Sequence, residues 1–374
     1  MSKLGTQSSL LERYLGRDTV EALSEGMKNW YGPPIAVAGV PGRVFAHRGG
    51  DFRGPIAAGA FVTAQCIAES FINRMKRGFR RSMRNQMRTA NAGFASLSDL
   101  IAESTAGKTM NFQYQKAGST GVVAVTNSLW GVGAHPAAGA NASNAPGGDA
   151  PTDATTGAYP FTNPTGGDTM HFTGGQVTAS LANTLLCYDR IFQVNKTMAS
   201  TANEAVTGVP TRYQSTTGGA VDSAEGNFLF VEIGGTALAA TAHNWDNCLY
   251  TDQSGNANAA LPTITGNSAG IVRRLDHPAG QWFAPLASGD TGVQKLTQMH
   301  CSASVATGVI NFVIGHPIAW MPCPLVNVAC MVDGVNTALN LRRVFDDAAL
   351  AFLEVCKPAA TATNYNISVD LSYG

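Results

Sequence analysis

Between Ala117 and Cys187 the chain carries only three charges, Asp149, Asp153 and Asp168, and the stretch from His135 to Gly167 is dominated by Ala, Gly, Asn, Pro and Thr. Taken alone, such a segment reads as a linker, because it has no apolar periodicity with which to bury a face. About thirty structureless residues are unusual in a folded protein, so the segment is expected to be mobile or to lie along other chains. Its neutrality favours the second. The same blandness extends to the whole: charged residues make up 13% of 374, about half the usual share, while 44% are hydrophobic and 41 are Gly. A substantial core in two or three domains is therefore within reach. A large neutral surface on a chain with zero net charge favours association.

The few charges are segregated. Arg43 to Arg88 holds ten basic and two acidic residues, whereas Thr89 to Gly374 holds eleven basic and nineteen acidic. Such polarity points to a basic segment that meets nucleic acid or the acidic part of a neighbouring copy. The seven cysteines are an odd number without a CxxC pair, as expected of reduced, buried thiols. Met1 to Leu11 has no apolar signal core, so export by a cleaved signal is not expected. The uncharged run Leu296 to Val332 is interrupted by His300, His316, Pro317, Pro322 and Pro324, which leaves no continuous span for a membrane.

Residues 1–110 read as a helical arm. Ser8 and Ser9 are placed to cap a helix through Leu10 and Leu15, and a second piece ends at Gly32-Pro33-Pro34. From Phe61 to Met87 apolar residues recur at spacings of three and four, which predicts one long amphipathic helix. Its other faces carry Arg74, Lys76, Arg77, Arg80, Arg81, Arg84 and Arg88, with no acidic residue between Glu69 and Asp99. Such a helix cannot balance its charge through i,i+4 pairs and calls for RNA, DNA or an acidic subunit. Ser98 is expected to cap a short helix from Leu100 to Ser104. Residues 111–178 form the extended segment, and residues 179–374 a β-rich body.

Within that body, Ala179 to Val194 has helical spacing, and a β pattern follows it. Expected strands are Asn227–Ile233, Cys248–Thr251, Gly308–Ile314, Leu325–Val332, Ala349–Val355 and Tyr365–Leu371, separated by turn-rich pieces. Strands so spaced, without long helices between them, predict an antiparallel sandwich or jelly roll. Phe230-Val231-Glu232-Ile233 returns as Phe352-Leu353-Glu354-Val355, and Asn244-Trp245 as Asn364-Tyr365. The echo predicts two related β units or two equivalent edges of one.

Catalytic motifs are weak. Ala102 to Thr109 resembles a phosphate-binding loop, but a helix precedes it and a strand follows, the reverse of the required order. Gly266-Asn267-Ser268-Ala269-Gly270 matches a nucleophile elbow, yet Pro262 spoils the strand it needs, and Asp276, His277 and His300 show no triad order. The histidines have no metal-ligand spacing, Asp246, Asp252, Asp346 and Asp347 make no calcium loop, and no metal or cofactor is expected. The pairs Arg273-Arg274, Arg342-Arg343 and Asp346-Asp347 read as solvated or as facing another subunit.

Cys187-Tyr188-Asp189-Arg190, Phe228 to Ile233, Pro285 to Val293 and Phe345 to Leu353 resemble segments of bacteriophage virion proteins, over residues 180–374. With a helical arm, a basic helix and a neutral extended segment, the chain is most similar to a major capsid protein. The resemblance implies a self-assembling, non-catalytic shell around a genome. Its partners would be copies of itself, packaged nucleic acid and other virion proteins, with no membrane, assembled in the host cytoplasm into virions. The expected fold is α+β, a helical arm followed by a mainly antiparallel β body. The mixed α/β capsid fold of tailed phages is the alternative. A decoration, head-fibre or tail-tube protein, or a nucleic-acid-binding module, are the functional alternatives.

Overall fold

The computed structural model describes Phe94, residues 96–335 and residues 341–374. The expected helices before Phe94, including the basic helix, lie outside these residues. The described chain opens with α1 (Leu97–Thr105), the one helix among the described residues. Its cap is Ser96, not Ser98: the Ser96 hydroxyl accepts from the Asp99 N–H at 3.1 Å, and Asp99 also places a negative charge in the first turn. Gly107, at φ +88°, ends it in a conformation that an L side chain resists.

Strands make up the remaining elements. They are β1 (Thr109–Ser119), β2 (Asn127–Ser128), β3 (Ala134–His135), β4 (Met170–Ala179), β5 (Asn183–Lys196), β6 (Glu204–Ala205), β7 (Phe228–Ile233), β8 (Asn244–Trp245) and β9 (Leu249–Asp252). After them come β10 (Ala259–Ala260), β11 (Ile264–Thr265), β12 (Val293–Met299), β13 (Ile310–Cys323), β14 (Cys330–Asp333), β15 (Arg343–Val344), β16 (Leu350–Val355) and β17 (Thr363–Tyr373). Every pairing between them is antiparallel. The body is thus predominantly antiparallel β, as its turn-punctuated pattern implies.

The expected helix at Ala179–Val194 is corrected: these residues are mostly β5, which pairs along its length with β13. A strand buried on both faces shows no alternation, so its continuous apolar run mimics a helical stripe. At 14 residues each, β5 and β13 extend roughly 48 Å and serve two cores. Leu185 and Cys187 pack with Phe352, Met321 and the sheet β14-β4-β17-β1-β3. Phe192 and Val194, further along, pack with Val231, Phe312 and the sheet β10-β9-β12-β6. The expected strand Leu325–Val332 is mostly loop, and only Cys330–Asp333 pairs, with β4.

The opposite face of β5 and β13 closes on itself. Their sheet runs β2-β16-β5-β13-β7, and Arg273–Asp276 joins its two edges. The Ile233 N–H donates to the Arg274 carbonyl at 2.9 Å, while the Leu275 N–H donates to Thr126 and the Ser128 N–H to Arg273, at 2.9 and 2.7 Å. Over Ile310–Gly315, where β13 pairs with β7, the result is a ring of six hydrogen-bonded segments, and β13 runs on past β7 to Cys323. Leu186, Tyr188, Phe230, Val313, Ala351, Leu353 and Leu275 fill it, under Trp130.

The strands of the sequence echo, β7 and β16, flank the β5–β13 hairpin on opposite sides. Their faces are out of step, however. Phe230 points into the ring, whereas Phe352 points out of it into the core under β1, β4 and β17. A side-chain period of two makes this a one-residue offset, so these two strands are not copies of one unit.

The neutral middle segment also requires correction. Rather than lying along other chains, it supplies β1, β3 and β4 and packs its loops on this body. Leu129, Trp130, Val132 and Ala158 are buried; Asn144 bridges Asn195, and Asp149 bridges Gln193.

Candidate assembly surface

The basic residues Arg74, Lys76, Arg77, Arg80, Arg81, Arg84 and Arg88, which the sequence offers for contact, lie outside the described residues. In the described body, charge is turned inward. Ten of the thirty charged residues after Thr89 are buried, five of each sign. Asp189 takes a two-pronged pair from Arg212 at 2.7 and 2.8 Å, and Arg212 also donates to the Pro151 carbonyl at 2.9 Å, pinning the middle segment. Arg190 pairs with Glu232 at 2.7 Å and lies 4.7 Å over the Trp130 ring. Glu354 accepts from Lys357, Tyr365 and Asn183, which ties the ring to β17. Lys116 donates to the carbonyls of Val132 and Pro136 at 3.0 and 2.7 Å, and burial pulls its pKa down to about 8.

Asp276 organises the loops around the nucleophile-elbow motif. It accepts from His243 Nε2 and Trp245 Nε1, both at 2.8 Å, and from the Asn267 N–H at 2.6 Å. His243 Nδ1 meets the Thr241 carbonyl at 3.0 Å, so both ring nitrogens are engaged and neither is free to take a proton from Ser268. His277 accepts from the Val231 N–H at 2.9 Å, and burial lowers its pKa to about 4, which keeps the ring neutral. At the phosphate-loop look-alike, Lys108 is paired with both Glu103 and Asp168 at 2.9 Å. The helix precedes and the strand follows, as the sequence indicates. Of the charge pairs, Arg343 lies 4.3 Å over the Phe345 ring and Asp347 exchanges hydrogen bonds with Asn163. Among the described residues no group of three or more His, Cys, Asp or Glu side chains is placed to hold a metal ion. None of their helices is long and apolar enough to cross a membrane.

With ten charges inside, the exterior carries six basic and fourteen acidic residues and a long uncharged tract. That tract runs from Pro317 to Val332. Along β13 the side chains alternate: Met321 and Cys323 enter the core, while Trp320, at 45% exposure, and Pro322 face outward. Pro324 then stops pairing, and the loop through Ala329 exposes Leu325, Val326 and Val328. Met331, on the edge strand β14, is 82% exposed. Trp282 continues the apolar surface, its ring 5.2 Å from that of Trp320 and 4.6 Å from that of half-exposed Phe283. Trp282, Trp320 and Phe283 thus form one aromatic cluster, while Leu325, Val326, Val328 and Met331 are exposed along the loop and edge strand that follow β13. The sequence shows the tract as an uncharged, proline-punctuated run but not which of its side chains face outward.

No known protein family matches the chain, and no curated protein does. Among solved structures, the chain is similar to the VP1 pentamer of human polyomavirus 6 at 9% identity, over 70% of this chain and 94% of that one, with a TM-score of 0.12. It is similar to the VP2 subviral particle of infectious bursal disease virus at 11% identity, over 71% of this chain and 40% of that one, with a TM-score of 0.10. Likeness at this level bears on neither fold nor function.

Proposed function

We propose that this chain is a non-enzymatic structural protein of a bacteriophage virion, a subunit that assembles with copies of itself into the shell around the genome. The observation that supports the reading is the set of exposed apolar side chains in the uncharged tract, Trp320, Leu325, Val326, Val328 and Met331, on a body that holds a third of its charges inside. The middle segment, folded onto its own body, no longer contributes to this reading. The occupant of the surface is a second copy. The uncharged tract matches itself better than it matches a charged partner.

Size-exclusion chromatography and negative-stain microscopy of the full-length protein test the reading. Closed or tubular particles are expected, and a well-behaved monomer of 39.0 kDa overturns it. The arginine run favours a second reading, a nucleic-acid-binding module. Under that reading, replacing Arg77, Arg80, Arg81 and Arg84 with Gln abolishes retained nucleic acid, and binding weakens with salt at a slope of about −0.7 to −0.9 per phosphate contact. Particles that form free of nucleic acid reject it.

A further inference from the structure

The loop that carries Leu325, Val326 and Val328 begins at Cys323, the last residue of β13, and ends at Cys330, the first of β14. Both strand ends meet at Val177 of β4. Cys330 is its register partner, and Cys323 Sγ lies 3.9 Å from its carbonyl oxygen. Both sulfurs also converge on the Val328 carbonyl, at 4.0 Å from Cys323 and 3.6 Å from Cys330. Their surroundings differ: Cys323 is buried, whereas Cys330 is partly exposed. Cys187, Cys248 and Cys301 are buried, and Cys356, also partly exposed, lies on neither strand. Two thiols that converge on one carbonyl, one reachable from solvent, at the two ends of an exposed loop are the arrangement that disulfide exchange requires.

We propose that Cys323 and Cys330 form a redox-active dithiol whose disulfide staples the apolar loop Pro324–Ala329 in place. The co-reactant is a low-molecular-weight disulfide. The Cys330 thiolate attacks one of its sulfurs, forming a mixed disulfide and releasing one small thiol. Cys323 then attacks the Cys330 sulfur, closing the protein disulfide and releasing the second small thiol. The two protein protons leave on the two released thiols, the protein dithiol is oxidised, and the small disulfide is reduced. Burial raises the pKa of Cys323, so the reachable Cys330 is the thiol that reacts first and the Cys330 adduct is the precursor of the disulfide. The proposal rests on the assembly reading only in giving the staple a use, since the loop it holds is part of the self-contact surface.

The test incubates reduced full-length protein with oxidised glutathione and reads intact mass and non-reduced tryptic peptides. Trypsin leaves Cys301, Cys323 and Cys330 on one peptide, Leu296–Arg342, so fragmentation locates the bond. The expected result is a loss of two hydrogens with no fragments between residues 323 and 330. Cys323→Ser instead retains one glutathione on Cys330, and Cys301→Ser behaves as wild type. In the oxidised protein, amide exchange at residues 325–329 slows by about tenfold. A wild-type protein that stops at the Cys330 adduct, or a Cys330→Ser protein that still loses two hydrogens, overturns the pairing. Unchanged exchange overturns the stapling. Mass is read whether or not particles form, so failure of assembly and failure of the disulfide are separate results.

Discussion

Met331→Asp tests the apolar surface where it is most exposed. In the isolated body Met331 is 82% exposed, and covering it completely is worth about 3 kcal/mol, the upper end for a methionine side chain. Half coverage, the more usual outcome near an interface margin, gives about 1.5 kcal/mol. The aspartate forfeits this and must also be dehydrated at the contact, an effect of the same sign. Each self-contact is therefore expected to weaken by at least about tenfold in Kd. Within one subunit the side chain contributes almost nothing, so the unfolding free energy of the separated subunit should stay within about 0.5 kcal/mol of wild type. Sedimentation velocity over a concentration series reads the first quantity, and urea unfolding under dissociating conditions reads the second. Equal dissociation of variant and wild type would refute the surface as a self-contact. A variant whose subunit loses more than about 1 kcal/mol would show Met331 to be part of the fold.

Three other perturbations probe the interior. Lys357→Met leaves Glu354 buried without its cation, although Tyr365 and Asn183 still donate to it, and should cost about 3–5 kcal/mol in urea unfolding; adding Glu354→Gln should recover most of that loss, and a single variant within 1 kcal/mol of wild type contradicts the pairing. The folded state holds His277 neutral down to about pH 4 while the unfolded chain takes up a proton near 6.5, so its contribution is complete above pH 6.5 and about 3 kcal/mol is lost as the pH falls to 4. His316, whose pKa is also lowered by burial, adds to this, whereas His243, raised overall, acts in the opposite direction; His277→Asn should flatten the profile, and a flat wild-type profile refutes the assignment. Gly292→Ala drives a methyl group into the Ala224 carbonyl and the Gly226 N–H, both backbone, and should cost about 1–3 kcal/mol; a neutral result means the two segments are not so close.

The antiparallel character and most strand positions were legible because several strands are half-buried and alternate, as β1 does with Phe112 and Tyr114 inward and Asn111 and Gln113 outward. Where both faces are buried the period vanishes, and β5, with Leu185 facing one core and Leu186 another, reads as a helix. The fate of Asp189 and Arg190 was hidden for a related reason. Adjacent opposite charges look like a surface pair, and only the distant partners Arg212 and Glu232 make each of them a core residue. The middle segment misled through composition. Its Ala, Gly and Asn residues bury little themselves, but Trp130 and Arg212 anchor its loops from inside the fold. The exposed apolar side chains were equally illegible, because Trp320 is exposed where β13 runs past the end of β7 and Met331 because β14 is an edge strand.

The placement of charge connects these observations. Buried ions lose hydration that even good partners only partly restore, so pairs such as Arg190–Glu232 and Glu354–Lys357 are weak sources of net stability. Their geometric effect is stronger, since each joins segments that hydrophobic contact alone would leave free to slide: Arg212 fixes the middle segment to β5, and Glu354 fixes the ring to β17. A consequence appears outside. Because equal numbers of each sign are buried, the exterior of the body retains its entire deficit of eight charges on only twenty charged residues, and Arg43 to Arg88 carries an equal surplus. If copies assemble as proposed, two kinds of contact would respond to different conditions. The apolar surface depends on water and is largely indifferent to ionic strength, whereas attraction between the acidic exterior and a basic segment is screened beyond a Debye length of about 8 Å at physiological salt. A subunit so built would associate through its apolar face at any salt concentration, with charge adjusting how copies are oriented rather than whether they meet.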